Sequence, residues 1–139
     1  MNHHRGLYEV IPGVWQVRGY DISNITFIRG TKGWLVIDPL TTAATARAGY
    51  ELVSEHVEKL PVTAVIYTHS HTDHFGGVLG VTSQEAVDRG ECVVIAPEHF
   101  LHEVLRQQFF ALRYVPDPAT VFASVHKLEP GHWCLAELH

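Results

Sequence analysis

A chain of 139 residues, of which 46% are hydrophobic, is long enough to form one domain with a hydrophobic core. A formal net charge of −5 without a Lys/Arg cluster argues against nucleic-acid binding. The sequence has no apolar run long enough for a transmembrane helix and no apolar signal-peptide core, so the default expectation is a cytoplasmic protein.

The first forty residues predict four strands, which are rich in aromatic and β-branched residues and are bounded by glycine or proline. The predicted strands are GLYEVIPG, VWQVRG, NITFIRG and WLVIDP. The last two are joined by TKG, a connection typical of a hairpin, and Pro39 ends the fourth strand.

Helices and strands then alternate. Residues 41–60 predict a helix, because apolar residues recur at helical spacing; Thr41 or Thr42 can cap its start and Pro61 ends it. The same reasoning predicts two later helices and two buried strands. These are the strand VTAVIYT, the short helix SQEAVDRG, the strand CVVIAP and the helix PEHFLHEVLRQQFFALR. Together, these elements predict an α/β fold with a mixed sheet and helices on its outer face.

The pattern changes after residue 112. Residues 113–139 contain three prolines, have no sustained period and do not continue the alternation before them. We therefore divide the chain into residues 1–112, which form the domain, and residues 113–139, a divergent tail. That tail is either loop-rich, with one short strand, TVFASV, or translated out of frame.

One segment concentrates metal-binding residue types. Residues 69–74 read HSHTDH, in a chain that contains 11 histidines. In extended backbone, residues two apart point to the same side, so His69 and His71 can face one ion together. Asp73 and His74 follow where the chain turns, and their side chains can reach a second metal position. Imidazole and carboxylate suit Zn²⁺, with iron and manganese as alternatives.

The segment THSHTDHFGG resembles the motif of the metallo-β-lactamase superfamily. More narrowly, VRGYDISN, VIDPLTT and AVIYTHSHTDHFGGVLGV resemble the alkyl sulfatases of that superfamily, which hydrolyse dodecyl sulfate. The resemblance covers residues 6–103. It implies an αββα sandwich, of which this chain holds about the first half.

The resemblance also implies roles for single residues. His69 and His71 match the ligands of a first zinc ion, and Asp73 and His74 match those of a second. Asp38 matches an aspartate that holds a ligand histidine by a hydrogen bond. Its alternative role is that of a turn residue before a proline.

The implied reaction is hydrolysis of an alkyl sulfate ester, a small-molecule substrate, by water that the metal ions activate. Asp73 would serve as a ligand and also orient the attacking water. Two zinc ions need more ligands than residues 69–74 supply. In the alkyl sulfatases, two glutamates and a further histidine come downstream, so we expect an N-terminal portion that binds one ion, or binds weakly.

Other histidines could complete the site. His126 and His132 lie at a separation found for a third histidine in other branches of the superfamily. His99 and His102 lie three residues apart in the last predicted helix, where a solvated surface is the alternative.

Three functions follow from these observations. The first is a zinc-dependent alkyl sulfatase, and the second is a truncated metal-binding remnant without catalysis. The third is a glyoxalase II-like thioester hydrolase, against which the segment VRGYDISNITFI argues. Half of a sandwich would leave one sheet face and one sheet edge uncovered, which predicts self-association.

Overall fold

The structure, a computed structural model, describes residues 5–112 and the side chains of residues 5–107. Its strands are β1 (Gly6–Ile11), β2 (Val14–Arg18), β3 (Ile25–Arg29), β4 (Trp34–Ile37), β5 (Val62–Ile66) and β6 (Val93–Ile95). Its helices are α1 (Ala43–His56), α2 (Gln84–Asp88) and α3 (Phe100–Leu112). The chain divides into two units, with the boundary between Leu101 and His102. The predicted tail, with His126 and His132, lies outside the described residues.

All six strands form one sheet, in the order β1-β2-β3-β4-β5-β6. The first four strands pair antiparallel, and β4, β5 and β6 pair parallel. This confirms the mixed sheet that the sequence predicts. The hairpin between β3 and β4 is also confirmed, since the Gly30 amide donates to the Gly33 carbonyl at 2.9 Å.

The hydrophobic core lies between one face of the sheet and α1. Alternate residues of β2 to β5 point into it, and they include Ile25, Phe27 and Val36, which are fully buried. Helix α1 lies close to the sheet at Gly49, where an added Cβ would come within 3.1 Å of Ile25 Cγ2. The absence of a side chain at this position therefore brings helix and sheet together.

The opposite face of the sheet is also apolar. On this face, neighbouring residues of β4 and β5 pair in register: Leu35 lies opposite Ala64, and Ile37 lies opposite Ile66. The residues of β4 and β5 on this face are half-buried, and β6 is exposed along its whole length.

The prediction of a buried strand at CVVIAP is therefore wrong in burial, although the strand exists. Val93 is 54% exposed and Ile95 is 49% exposed. Among the described strands, β6 is the last in the sheet and has one strand neighbour.

Helix α1 begins as the sequence predicts. Thr42 is its cap: the Thr42 hydroxyl accepts from the Thr45 amide at 3.2 Å, while the Thr45 hydroxyl accepts from the Thr42 amide at 3.4 Å. The helix ends at His56, five residues before the predicted stop at Pro61. The intervening residues lead into β5, and the Tyr50 hydroxyl holds them by donating to the Leu60 carbonyl at 2.7 Å.

The two later helices are present. Ser83 caps α2 by accepting from the Ala86 amide at 3.2 Å, and Gly90 follows the helix with φ 71°. Helix α3 begins at Phe100, later than predicted, because His99 has φ 62° and lies outside the helix. In the described part of the chain, no helix is both long and apolar enough to cross a membrane.

The Asp21 carboxylate lies beside the start of α1, where it accepts from the Thr41 hydroxyl and the Thr45 hydroxyl, each at 2.7 Å. Burial alone would raise the pKa of Asp21. The hydrogen bonds from Thr45, Thr41 and backbone amides outweigh burial and lower this pKa below its usual range. A lowered pKa means that the charged form stabilises the folded state above the unfolded pKa, about 3.9, and that this stability is lost as pH falls through the folded pKa.

We therefore expect Asp21→Asn to lower the free energy of unfolding at pH 7 by about 1 kcal/mol, since the carboxylate is partly exposed. The difference from wild type should shrink as the pH falls from 5 to 3. Urea denaturation across this pH range measures the difference, with Glu55→Gln, an exposed carboxylate of α1, as the control for net charge. A constant difference between pH 7 and pH 3 would contradict this assignment.

Candidate metal centre

The candidate site lies where β4 and β5 end. These strands run parallel, with Ile37 opposite Ile66, so the residues that follow them reach the same edge of the sheet. Asp38 follows β4, and Thr68 and His69 follow β5 after Tyr67. Parallel pairing therefore brings together side chains that are 30 residues apart in sequence.

Asp38 is held firmly at this edge. It is 8% exposed, its backbone has φ 54°, and its amide donates to the Ile66 carbonyl at 3.0 Å. A positive φ is uncommon for residues other than glycine, but aspartate and asparagine tolerate it. The carboxylate accepts from the Thr68 amide at 2.8 Å, the Thr68 hydroxyl at 2.7 Å and His74 Nδ1 at 2.8 Å.

Thr68 extends this network to a second histidine. Its hydroxyl oxygen lies 2.9 Å from His69 Nδ1 and donates its single hydrogen to Asp38. The hydroxyl must then accept from His69 Nδ1. The Asp38 carboxylate therefore keeps a proton on Nδ1 of His74 directly and on Nδ1 of His69 through Thr68. In these neutral tautomers both Nε2 atoms carry a lone pair that can bind a metal.

His69 and His71 form a first pair of candidate ligands. His69 Nε2 lies 3.1 Å from His71 Nδ1, and the ring centroids are 4.7 Å apart. Both side chains leave the same stretch of chain directly after β5, as the two-residue spacing predicts. The two nitrogens can face one ion.

Asp73 and His74 form a second pair, on a short 3₁₀ helix (Thr72–His74). His74 Nε2 lies 3.3 Å from Asp73 Oδ2. Since Nδ1 of His74 donates to Asp38, a neutral His74 turns a lone pair toward the carboxylate oxygen. Two acceptors this close need a cation between them, which is either a proton on Nε2, making the pair a salt bridge, or a metal ion that replaces this proton.

Asp38, His69 and His74 also offer ligand atoms within 4.8 Å of one another. Asp38 already accepts three hydrogen bonds through both of its oxygens, so a metal would have to displace donors that hold the loop. These hydrogen bonds favour a role for Asp38 in holding the histidines over a role in binding an ion.

Residues 69–77 carry the candidate ligands, and we call them the metal-binding loop. This loop packs tightly against the chain after β4. The Gly77 amide donates to the Leu40 carbonyl at 2.9 Å. A Cβ at Gly76 would come within 2.3 Å of the Thr41 carbonyl oxygen, and a Cβ at Gly77 within 2.0 Å of the Pro39 carbonyl oxygen. Side chains are excluded at both positions, which explains the two glycines after the histidines.

An aromatic cluster also holds Phe75, the residue before these two glycines. The Phe75 ring lies 5.9 Å from Tyr67 and 5.2 Å from Phe100, centroid to centroid. Burial raises the pKa of the Tyr67 phenol, which keeps it neutral. Since Phe75 directly follows His74, this packing restricts the second ligand pair.

Of the residues that the sequence singles out, the structure brings five together: Asp38, His69, His71, Asp73 and His74. His99 and His102 do not share a helix face, because His99 precedes α3, and both side chains are exposed. Thr68 and Ser23 also contact site residues and were not predicted. For Thr68 the available signal was its place directly before His69.

The family model of the metallo-β-lactamase superfamily matches residues 18–133 of the chain. The match extends into the residues that the sequence assigns to a divergent tail, and the proposed boundary at residue 112 stays a prediction.

Curated relatives include alkyl sulfatases. An (R)-specific secondary-alkylsulfatase of Pseudomonas sp. is 44% identical over 111 residues, which are 80% of this chain and 17% of the relative. An alkyl/aryl-sulfatase of Saccharomyces cerevisiae is 42% identical over the same shares of both chains. The chain therefore spans about a sixth of the length of these relatives.

Solved structures agree with the fold. The stereoselective inverting sec-alkylsulfatase Pisa1 from Pseudomonas sp. superimposes with a TM-score of 0.72 at 45% identity, over 77% of this chain and 17% of that enzyme. A metallo-β-lactamase from Hirschia baltica has a TM-score of 0.56 at 18% identity, over 73% of this chain and 47% of that chain. The second likeness shows the fold alone.

Proposed function

The chain belongs to the metallo-β-lactamase superfamily, and on that premise we propose that it carries the zinc-binding loop of a hydrolase for alkyl sulfate esters. The observation that carries the proposal is the arrangement of two ligand pairs, His69 with His71 and Asp73 with His74, at one sheet edge. The substrate class rests on the relatives, which are alkyl sulfatases at 42–45% identity.

Zinc suits the donor set, because neutral imidazole nitrogen and carboxylate oxygen are common zinc ligands. His69 Nε2 and His71 Nδ1 would hold a first ion, and Asp73 Oδ2 and His74 Nε2 a second. When bound, such ions act as Lewis acids, neutralise charge on the substrate oxygens and make water a better nucleophile.

The residues of this chain have separate tasks in that site. Asp38 keeps His74 in the tautomer that can bind a metal, and Thr68 passes the same constraint to His69. Asp73 is both a metal ligand and the group that orients the attacking water. The substrate is a small molecule with a charged sulfate head, which the metal positions attract.

A non-catalytic metal-binding protein is the second candidate. A catalytic zinc ion takes three protein ligands and leaves one position open. Each ligand pair in the described residues supplies two atoms, so one ion, or weak binding of the second, is consistent with the observed geometry. A glyoxalase II-like activity is not favoured, since three curated relatives at 42–45% identity are alkyl sulfatases.

Zinc content tests the metal assignment. We expect the purified protein, with any affinity tag removed, to retain zinc after gel filtration and His69→Ala combined with His71→Ala to lose it. The matched control is His99→Ala combined with His102→Ala, which removes two exposed histidines and should leave zinc unchanged. Equal zinc in wild type and in the His69/His71 variant would overturn the proposal.

Hydrolysis of dodecyl sulfate, measured with zinc in excess, separates the two candidate functions. Turnover that His71→Ala abolishes supports the hydrolase. Bound zinc without turnover supports the non-catalytic protein.

A further inference from the structure

A short segment between β2 and β3, Asp21–Ser23, contacts both loops that build the metal centre. On one side, Asp21 accepts from the Thr41 amide at 3.1 Å and the Thr41 hydroxyl at 2.7 Å. Thr41 belongs to the loop after β4, and its carbonyl oxygen lies against Gly76 of the metal-binding loop. Asp21 therefore holds Thr41 in place, and Thr41 packs against the metal-binding loop at Gly76.

On the other side, Ser23 reaches the metal-binding loop itself. Its hydroxyl donates to the backbone carbonyl of Asp73, across 50 residues of sequence. Ser23 is 8% exposed, so this hydrogen bond is largely shielded from water. The neighbouring carbonyls of His71 and Thr72 accept from amides of the same loop, whereas Ser23 ties Asp73 to a different part of the chain.

Two of the other candidate ligands are held by different groups. His74 is oriented by Asp38, and His69 by Thr68. The hydrogen bond from Ser23 fixes the peptide plane that follows Asp73, and the Asp73 carboxylate leaves the backbone at that point. Loss of the serine hydroxyl therefore acts first on Asp73.

We propose that Ser23 is a positioning residue that sets the placement of Asp73 and thereby the metal position that Asp73 shares with His74. This inference rests on the proposed function for its metal, but the placement of the loop is a property of the protein without metal. The two can therefore be tested separately.

Amide hydrogen exchange of the metal-free protein tests the placement. We expect Ser23→Ala to accelerate exchange of residues 72–76 by about fivefold, the factor that corresponds to one ordinary hydrogen bond. The Trp34 amide, which donates to the Pro61 carbonyl, should not change. Ser83→Ala is the matched control, because it removes a serine hydroxyl that binds a backbone amide of α2 and should leave residues 72–76 unaffected. Unchanged exchange of residues 72–76 in Ser23→Ala would overturn the proposal.

Zinc affinity, measured by competition with a chromophoric chelator, tests the consequence for the metal. We expect Ser23→Ala to weaken binding at the Asp73 position by about tenfold and Ser23→Thr, which keeps the hydroxyl, to restore it. Equal affinity in wild type and Ser23→Ala would overturn the proposal. If wild type binds no zinc, the proposed function fails, and the exchange measurement still decides the role of Ser23. If thermal unfolding shows that Ser23→Ala does not fold, Ser23→Cys, with its weaker donor, takes its place in both measurements.

Discussion

Asp38→Asn is expected to weaken zinc binding by about tenfold to hundredfold, although the side chain keeps its size and asparagine tolerates the positive φ of Asp38. The asparagine oxygen can still accept from the Thr68 amide. Its NH₂ group then faces His74 Nδ1 and the Thr68 hydroxyl, both of which now donate to the carboxylate. As a donor, it forces the proton of His74 onto Nε2, the atom that must bind the ion.

The same substitution also affects His69. If the Thr68 hydroxyl accepts from asparagine, its hydrogen turns to His69 Nδ1, and the proton of His69 moves to Nε2 as well. Both ligand histidines would then be in the tautomer that cannot bind.

Competition with a chromophoric chelator measures the affinity, and nitrogen chemical shifts of the imidazoles report the tautomers in the metal-free protein. Asp88→Asn is the matched control, because it makes the same change at an exposed carboxylate that accepts from Gln84. If Asp38→Asn bound zinc as tightly as Asp88→Asn, the holding role assigned to Asp38 would be wrong.

Gly77→Ala is expected to lower the free energy of unfolding by about 3 kcal/mol. Gly77 has φ −89°, a value that alanine adopts readily, so the expected cost is steric. The added Cβ would lie 2.0 Å from the Pro39 carbonyl oxygen and 2.6 Å from the Thr42 carbonyl oxygen. Neither oxygen can retreat without moving the loop after β4 or the start of α1.

Urea denaturation of the metal-free protein measures this effect. The matched control is Gly6→Ala in β1, where the new Cβ would meet Tyr8 ring atoms at 3.7 Å, an ordinary contact. We expect its free energy of unfolding to lie within about 0.5 kcal/mol of the wild-type value. Equal stability of the two variants would show that the loops do not pack as closely as described.

Much of the fold was predictable, because the signals are local. Strand alternation, the TKG hairpin, the Thr42 cap and the serine-to-glycine limits of α2 are all encoded within a few residues. The burial of β6 was not predictable, since CVVIAP has the composition of a central strand and its exposure depends on which neighbours the sheet provides. The end of α1 was misplaced for a similar reason: the helical period runs past His56, but the connection to β5 requires a break there.

The candidate metal centre was likewise predictable only where its signals are local. His69, His71, Asp73 and His74 lie within six residues, so spacing alone indicates a shared role. The Thr68 hydroxyl is oriented by its hydrogen bond to Asp38, which lies 30 residues earlier in sequence. The Asp73 carbonyl accepts a hydrogen bond from Ser23, which lies 50 residues earlier. Contacts of this length arise from strand pairing, and a single sequence gives no direct sign of them.

The order of the strands in the sheet has a consequence for protein synthesis. Each strand pairs with the strand that precedes it in sequence, so a chain that leaves the ribosome from its N-terminus offers every new strand a partner that is already present. Asp38, Thr68 and Ser23 all precede or begin the metal-binding loop, and Gly77 ends it. We expect the four candidate ligands to come together during translation, once that glycine has emerged and before α2, β6 and α3 have left the ribosome.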